Sequence, residues 1–71
     1  GKVQVKNSYG LNLGVTFDGN RYYFFYVGPG KSNFEIPLGT YKIYFWADGK
    51  NQETTLKLKK GNIQIILAQK Q

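Results

Sequence analysis

Short apolar runs, broken at regular intervals by turn-forming residues, set the pattern of this chain. The breaks fall at Asn7-Ser8-Tyr9-Gly10, Asp18-Gly19-Asn20, Gly28-Pro29-Gly30, Leu38-Gly39, Asp48-Gly49-Lys50 and Lys60-Gly61-Asn62. Between them lie stretches rich in Val, Ile, Thr, Tyr and Phe, residues that suit a pleated, half-buried surface. Nothing repeats at helical spacing over three turns. The spacing predicts seven strands, near residues 2–7, 11–18, 21–27, 32–37, 40–47, 52–59 and 62–69. Asp-Gly at 18–19 and 48–49 suits tight hairpins, because glycine takes positive φ without steric cost. The fold class expected is all-β, a small two-layer antiparallel β-sandwich with no stable helix.

Alternation assigns the faces, since residues two apart on a strand share one. Val3 and Val5 alternate with Lys2, Gln4 and Lys6, which turns the valines inward. Leu11, Leu13, Val15 and Phe17 alternate with polar or small residues, as do Leu56 and Leu58. Tyr41, Ile43 and Phe45 read as inward on the fifth strand. Phe34 and Ile36 come from the fourth. The last strand offers Ile63, Ile65 and Leu67 to the core, with Gln64 and Ile66 outward. Each strand contributes inward residues, enough for one two-layer core.

The stretch RYYFFYVGPG at 21–30 breaks this rule. If Tyr23, Phe25 and Val27 join the core, Tyr22, Phe24 and Tyr26 are left on the other face. Tyr44 and Trp46 are left over in the same way on the fifth strand. If the two strands share a sheet, these rings form one apolar patch bordered by Lys42, the kind that marks a contact surface. The candidate binding residues are therefore Tyr22, Phe24, Tyr26, Lys42, Tyr44 and Trp46.

Composition narrows the chemistry. Seventy-one residues make one small domain near the lower limit for a fold held by its core alone. There is no cysteine and no histidine, so disulfides, Cys/His zinc sites and triads with a histidine base are excluded. Ten Lys/Arg against four Asp/Glu give a net charge of +6, which favours acidic partners in general. The lysines are scattered, however, and only Lys57, Lys59 and Lys60 cluster, as a solvated surface would have them. No apolar run is long enough for a membrane span, and no signal peptide is present. The chain opens Gly-Lys and lacks methionine, so residues 1–71 read as a single module excised from a larger protein.

Catalysis has little to work with. The four carboxylates are far apart in sequence, and Ser8 and Ser32 have no base nearby in it. Asp18 and Asp48 are too few to hold calcium and read as turn residues. Gly28-Pro29-Gly30-Lys31 lacks the spacing and following helix of a phosphate loop. An isopeptide between a lysine and a neighbouring amide, with Glu35 as the acid, needs an inward lysine, and Lys2 and Lys6 have outward parity. No catalytic residue, metal site or cofactor is expected.

The stretch KVQVKNSYGLNLGVTFDGNRYYFFYVGPGKSNFEIPLGTYKIYFWADGK resembles small bacterial β-sandwich modules of the PEGA and carboxypeptidase-regulatory-like (transthyretin-like) group. The shared elements are the opening V-x-V-x-N strand, the second strand ending in Asp-Gly, and LGTYKIYFWADG at 38–49. There a glycine leads into a strand whose tyrosine packs inward, and LKKGNIQIIL resembles the last two strands. Two departures stand out. The Pro-Glu-Gly-Ala stretch that names PEGA is missing, and RYYFFYVGPG is far more aromatic than that group leads one to expect. The resemblance implies an Ig-like or transthyretin-like sandwich that serves as a non-enzymatic accessory or interaction module of a larger bacterial envelope or secreted protein. An extracellular or cell-envelope location follows from it, with the cytoplasm still open. The partner expected at the aromatic face is a neighbouring protein domain or another protein partner, a second copy of the chain included. One alternative is a carbohydrate-binding module, in which Trp46, Tyr44 and Tyr22 serve as platforms and Asn12, Gln52 or Asn20 as polar neighbours. Another is a small β-barrel that binds single-stranded nucleic acid, bases stacking on the rings while lysines follow the phosphates.

Overall fold

The computed structural model describes residues 1–47, 50–61 and 63–68. Seven strands run in order: β1 (Lys2–Asn7), β2 (Leu13–Asp18), β3 (Tyr22–Val27), β4 (Gly30–Glu35), β5 (Gly39–Ala47), β6 (Lys50–Leu58) and β7 (Gln64–Ala68). They form two sheets, a four-stranded one in the order β3-β2-β5-β6 and a three-stranded one in the order β4-β1-β7. The chain is an all-β sandwich with no helix among the described residues. It is not the closed barrel considered for nucleic acid, because the two sheets are separate. The ladders are antiparallel except β1–β7, which is parallel. That exception follows from the path: β7 crosses back from the far edge of one sheet to lie beside β1 in the other.

Two short connections show how sequence directs the path. Gly28 and Pro29 carry the chain from β3 in one sheet to β4 in the other, and Gly30 opens β4 at φ +96°. Phe25 and Phe34 stack across that corner with centroids 4.2 Å apart, closing one side of the sandwich. At the start of β5, Gly39 takes φ +150°, which favours glycine over residues with a Cβ. Two residues on, Tyr41 is buried, and its hydroxyl donates to the Pro37 carbonyl oxygen at 2.7 Å. Burial holds that hydroxyl above the usual tyrosine range; Tyr23 adds to the shift and Arg21 opposes it.

The core lies between the sheets and contains Val3, Val5, Leu13, Val15, Phe17, Val27, Ile36, Tyr41, Ile43, Phe45, Leu58, Ile66 and Ala68. Burying a side chain of Val, Leu, Ile or Phe size contributes about 1.5–3 kcal/mol. Tyr23, Phe25, Phe34 and Leu56 pack half-buried against this cluster. Phe17 meets Phe25 and Tyr41 edge to face, at 5.9 and 6.2 Å.

The structure corrects the face of β7. Ile63, Ile65 and Leu67, read as core, are exposed, whereas Ile66, read as outward, is buried together with Ala68. The cause is the parallel register on β1, which sets Gln64, Ile66 and Ala68 opposite inward Val3, Val5 and Asn7. Leu11 is also corrected: it lies ahead of β2 and is partly exposed. Asn7 explains this. Its side-chain amide is buried and donates to the carbonyl oxygens of Leu11 (2.9 Å) and Val27 (3.2 Å), while its Oδ1 accepts from the Tyr9 N–H at 2.9 Å. One polar side chain thereby fixes the 8–12 loop against the end of β3. The Asp48-Gly49 turn lies outside the described residues.

Candidate interaction face

The outer face of the four-stranded sheet brings all six candidate residues together. Strand β2 runs between β3 and β5, and its registers define three cross-sheet rows. The first is Tyr26–Gly14–Trp46–Asn51, the second Phe24–Thr16–Tyr44–Glu53, and the third Tyr22–Asp18–Lys42–Thr55. Aromatic residues therefore occupy both flanks of a strand that carries only small or short side chains outward.

The rings lean over that strand. A Cβ built on Gly14 would stand 3.1 Å from Cζ of Phe24, so the absence of a side chain there admits the ring. Thr16 is buried although it belongs to an outer face, and its hydroxyl lies 3.5 Å from that of Tyr22. Phe24 and Tyr26 meet edge to face, with centroids 4.9 Å apart and planes at 86°. Much aromatic surface still meets water: Tyr26 is 78% exposed, Tyr22 65% and Trp46 54%. Tyr44 is half-buried and Lys42 exposed.

Charge on this face is balanced. Asp18 and Glu53 accompany Lys42 and Lys57, the last paired with Thr40 one row further along. The basic residues of β1 and β4 are elsewhere: Lys2, Lys6 and Lys31 share the outer face of the three-stranded sheet with Gln4, Asn33 and Glu35. Of the polar residues considered beside a sugar platform, Gln52 is removed. It sits opposite Phe45 on the inward side of β6, and its Nε2 donates to the Tyr9 hydroxyl at 2.8 Å. Asn20 lies in the turn between β2 and β3, and Asn12 precedes β2. Asn51 and Glu53, in contrast, stand in the rows, and alternation along β6 was the signal that could have found them.

Among the described residues, no three of His, Cys, Asp and Glu come together as a metal site would need. Glu35 pairs with Lys2 on an exposed surface, not as a buried acid beside an inward lysine. Gly28-Pro29 leads into a strand, whereas a phosphate loop requires a helix. No helix among the described residues is long and apolar enough to cross a membrane. No family model, curated protein or solved structure matches the chain.

Proposed function

We propose that this chain is a non-enzymatic interaction module that docks a neighbouring protein domain through the outer face of its four-stranded sheet. The observation that carries the reading is the set of rows in which Tyr22, Phe24, Tyr26, Tyr44 and Trp46 flank Gly14 and Thr16. Aromatic residues in such a patch supply large contact area at low conformational cost, and they are enriched in protein interfaces. Phe24 and Tyr26, with planes at 86°, do not both stack on one flat sugar chain, so these two rings favour a protein surface. Charge favours it over nucleic acid, since Asp18 and Glu53 offset the lysines that would have to follow a phosphate backbone. Placement in a larger envelope or secreted bacterial protein rests on the sequence resemblance to PEGA-like modules, with which two small sheets are compatible.

Trp46 is the sole tryptophan, so its emission reports on this face. Adding the domain that flanks the module in its parent polypeptide should shift that emission to the blue, with little response to salt. Oligo-dT and neutral oligosaccharides should leave it unchanged. A shift with oligo-dT that disappears between about 50 and 200 mM salt would assign the face to nucleic acid instead. A shift with a sugar alone would assign it to glycan.

A further inference from the structure

The outward side chains of the three-stranded sheet are of two kinds. On β7 they are aliphatic: Ile65 and Leu67 are exposed, as is Ile63 just ahead of the strand. On β1 and β4 they are polar, and the registers set the two kinds side by side. One row across the sheet is Leu67–Lys6–Lys31 and the next is Ile65–Gln4–Asn33. Glu35 lies opposite Lys2 at the far end.

Lys6 and Lys31 stand directly opposite one another on antiparallel strands, and like charges so placed weaken a sheet. The only side-chain carboxylate that β1, β4 and β7 carry is Glu35, two rows away. On the ring face, by contrast, Lys42 is set opposite Asp18. The amides of the row between satisfy one another, Gln4 Nε2 donating to Asn33 Oδ1 at 3.1 Å. Lys59 and Lys60, both exposed, add positive charge in the connection ahead of Ile63. No residue from 61 to 69 is charged. The face is thus an aliphatic stripe beside lysines that lack acids of their own.

A phosphate surface alone would call for no aliphatic side chains, and an apolar partner alone would call for no lysines. An anionic bilayer offers both: headgroup phosphates above an acyl boundary that side chains reach at a depth of about 5–10 Å. We propose that the outer face of the three-stranded sheet rests on an anionic lipid surface. Ile63, Ile65 and Leu67 enter the acyl boundary, and Lys6 and Lys31 meet the phosphates. Strands lie about 4.8 Å apart, so these lysines stand one and two strands in from Leu67. Their long stems span that offset while the ammonium heads stay at phosphate level. The net charge of +6 acts in the same direction, drawing the chain to an anionic surface at low salt. The rings of the four-stranded sheet point away from the lipid and stay free for a protein partner.

Cosedimentation of the whole chain with vesicles tests this, using phosphatidylcholine with and without about 30% phosphatidylglycerol, at about 50 and about 500 mM salt. The chain should bind the anionic vesicles and not the neutral ones, and high salt should weaken binding. Lys6→Ser/Lys31→Ser should weaken it about twenty-fivefold, roughly fivefold for each lysine near the surface. Ile65→Ser/Leu67→Ser, at exposed positions, should weaken it by about tenfold or more. Circular dichroism of both variants should stay that of the wild type. Trp46 emission should not change on vesicle binding, and the Tyr22→Ser/Phe24→Ser/Trp46→Ser variant should bind vesicles as the wild type does. Absence of binding to anionic vesicles at low salt overturns the proposal, as does equal binding to both kinds. Binding that ignores Ile65→Ser/Leu67→Ser overturns it too, because contact with any polyanion, nucleic acid included, would behave that way. A blue shift of Trp46 with vesicles would put the lipid on the ring face and overturn the assignment to this sheet.

Discussion

The outer faces of β1 and β4 in one sheet and of β3 and β5 in the other obey the same alternation and hold different side chains, while β7 adds exposed Ile65 and Leu67 beside the former. On the three-stranded sheet, Lys2, Gln4, Lys6, Lys31, Asn33 and Glu35 cover β1 and β4, as water-facing strands ordinarily do. On the four-stranded sheet, the equivalent positions of β3 and β5 hold four aromatic residues besides Trp46 and Lys42. The inner faces are alike, so the difference is not imposed by the core. It separates one group of lysines from the aromatic surface: Lys2, Lys6 and Lys31 lie on the face opposite the rings. On the ring face Lys42 and Lys57 are matched by Asp18 and Glu53, so a basic composition and an aromatic cluster in one sequence do not by themselves make a nucleic-acid surface.

The largest expected effect lies in the core between the two sheets. Ile43→Ala, in the centre of the four-stranded sheet, should cost ~2–5 kcal/mol, enough to unfold so small a domain. Denaturant titration would show this, and an unchanged midpoint would mean that the rings, not Ile43, hold the sheet. Next in size is Tyr41→Phe, which removes the hydroxyl bond to the Pro37 carbonyl and should cost about 0.5–1.5 kcal/mol. It also carries a pH signature. A tyrosine whose pKa is raised on folding contributes stability that is fully present below the unfolded value of about 10 and lost as pH rises through the folded value. Melting midpoints should therefore fall above about pH 10 in the wild type and fall less in Tyr41→Phe. An equal fall in both would place the alkaline sensitivity elsewhere.

Gly14→Ala sharpens the contrast between stability and binding. Its Cβ presses on Cζ of Phe24, a ring at the surface that has room to give. The change should alter stability by less than about 1 kcal/mol, the crowding being offset by a less flexible unfolded chain. Binding at the face should weaken because the ring is displaced. Smallest of all, replacing Lys2, Lys6 and Lys31 together by Ser should shift stability by no more than about 0.5 kcal/mol per site and leave partner binding intact. Loss of binding in that variant, read by Trp46 emission, would move the contact surface to the other sheet.

Much of this was legible in the sequence, for local reasons. Glycine-marked turns and period-two alternation gave the strand positions within a few residues, and β3 and β5 announced their surplus rings without any tertiary information. What the sequence hid depended on pairing between distant segments. In the run Ile63 to Leu67 both parities offer apolar side chains, so only the parallel register on β1 decides which face is core. Asn7 reads as a turn residue, yet its burial follows from two carbonyls, of Leu11 in the 8–12 loop and of Val27 at the end of β3, that the fold brings together. Gln52 likewise resembles a surface residue until Tyr9 is placed above it. On the candidate face, the rings could be read directly, whereas the small floor of Gly14 and Thr16 needed the strand order β3-β2-β5.

The five rings as a contact surface distinct from the core are tested most directly by a paired measurement on the Tyr22→Ser/Phe24→Ser/Trp46→Ser variant: a denaturant melt, and calorimetric titration with the proposed partner domain. The variant should melt cooperatively, with a modest loss of stability from the cover that Phe24 gives Gly14 and Thr16, and should no longer bind. A variant that loses its cooperative melt would show that the rings belong to the folding core, and one that binds as tightly as the wild type would show that the partner sits elsewhere.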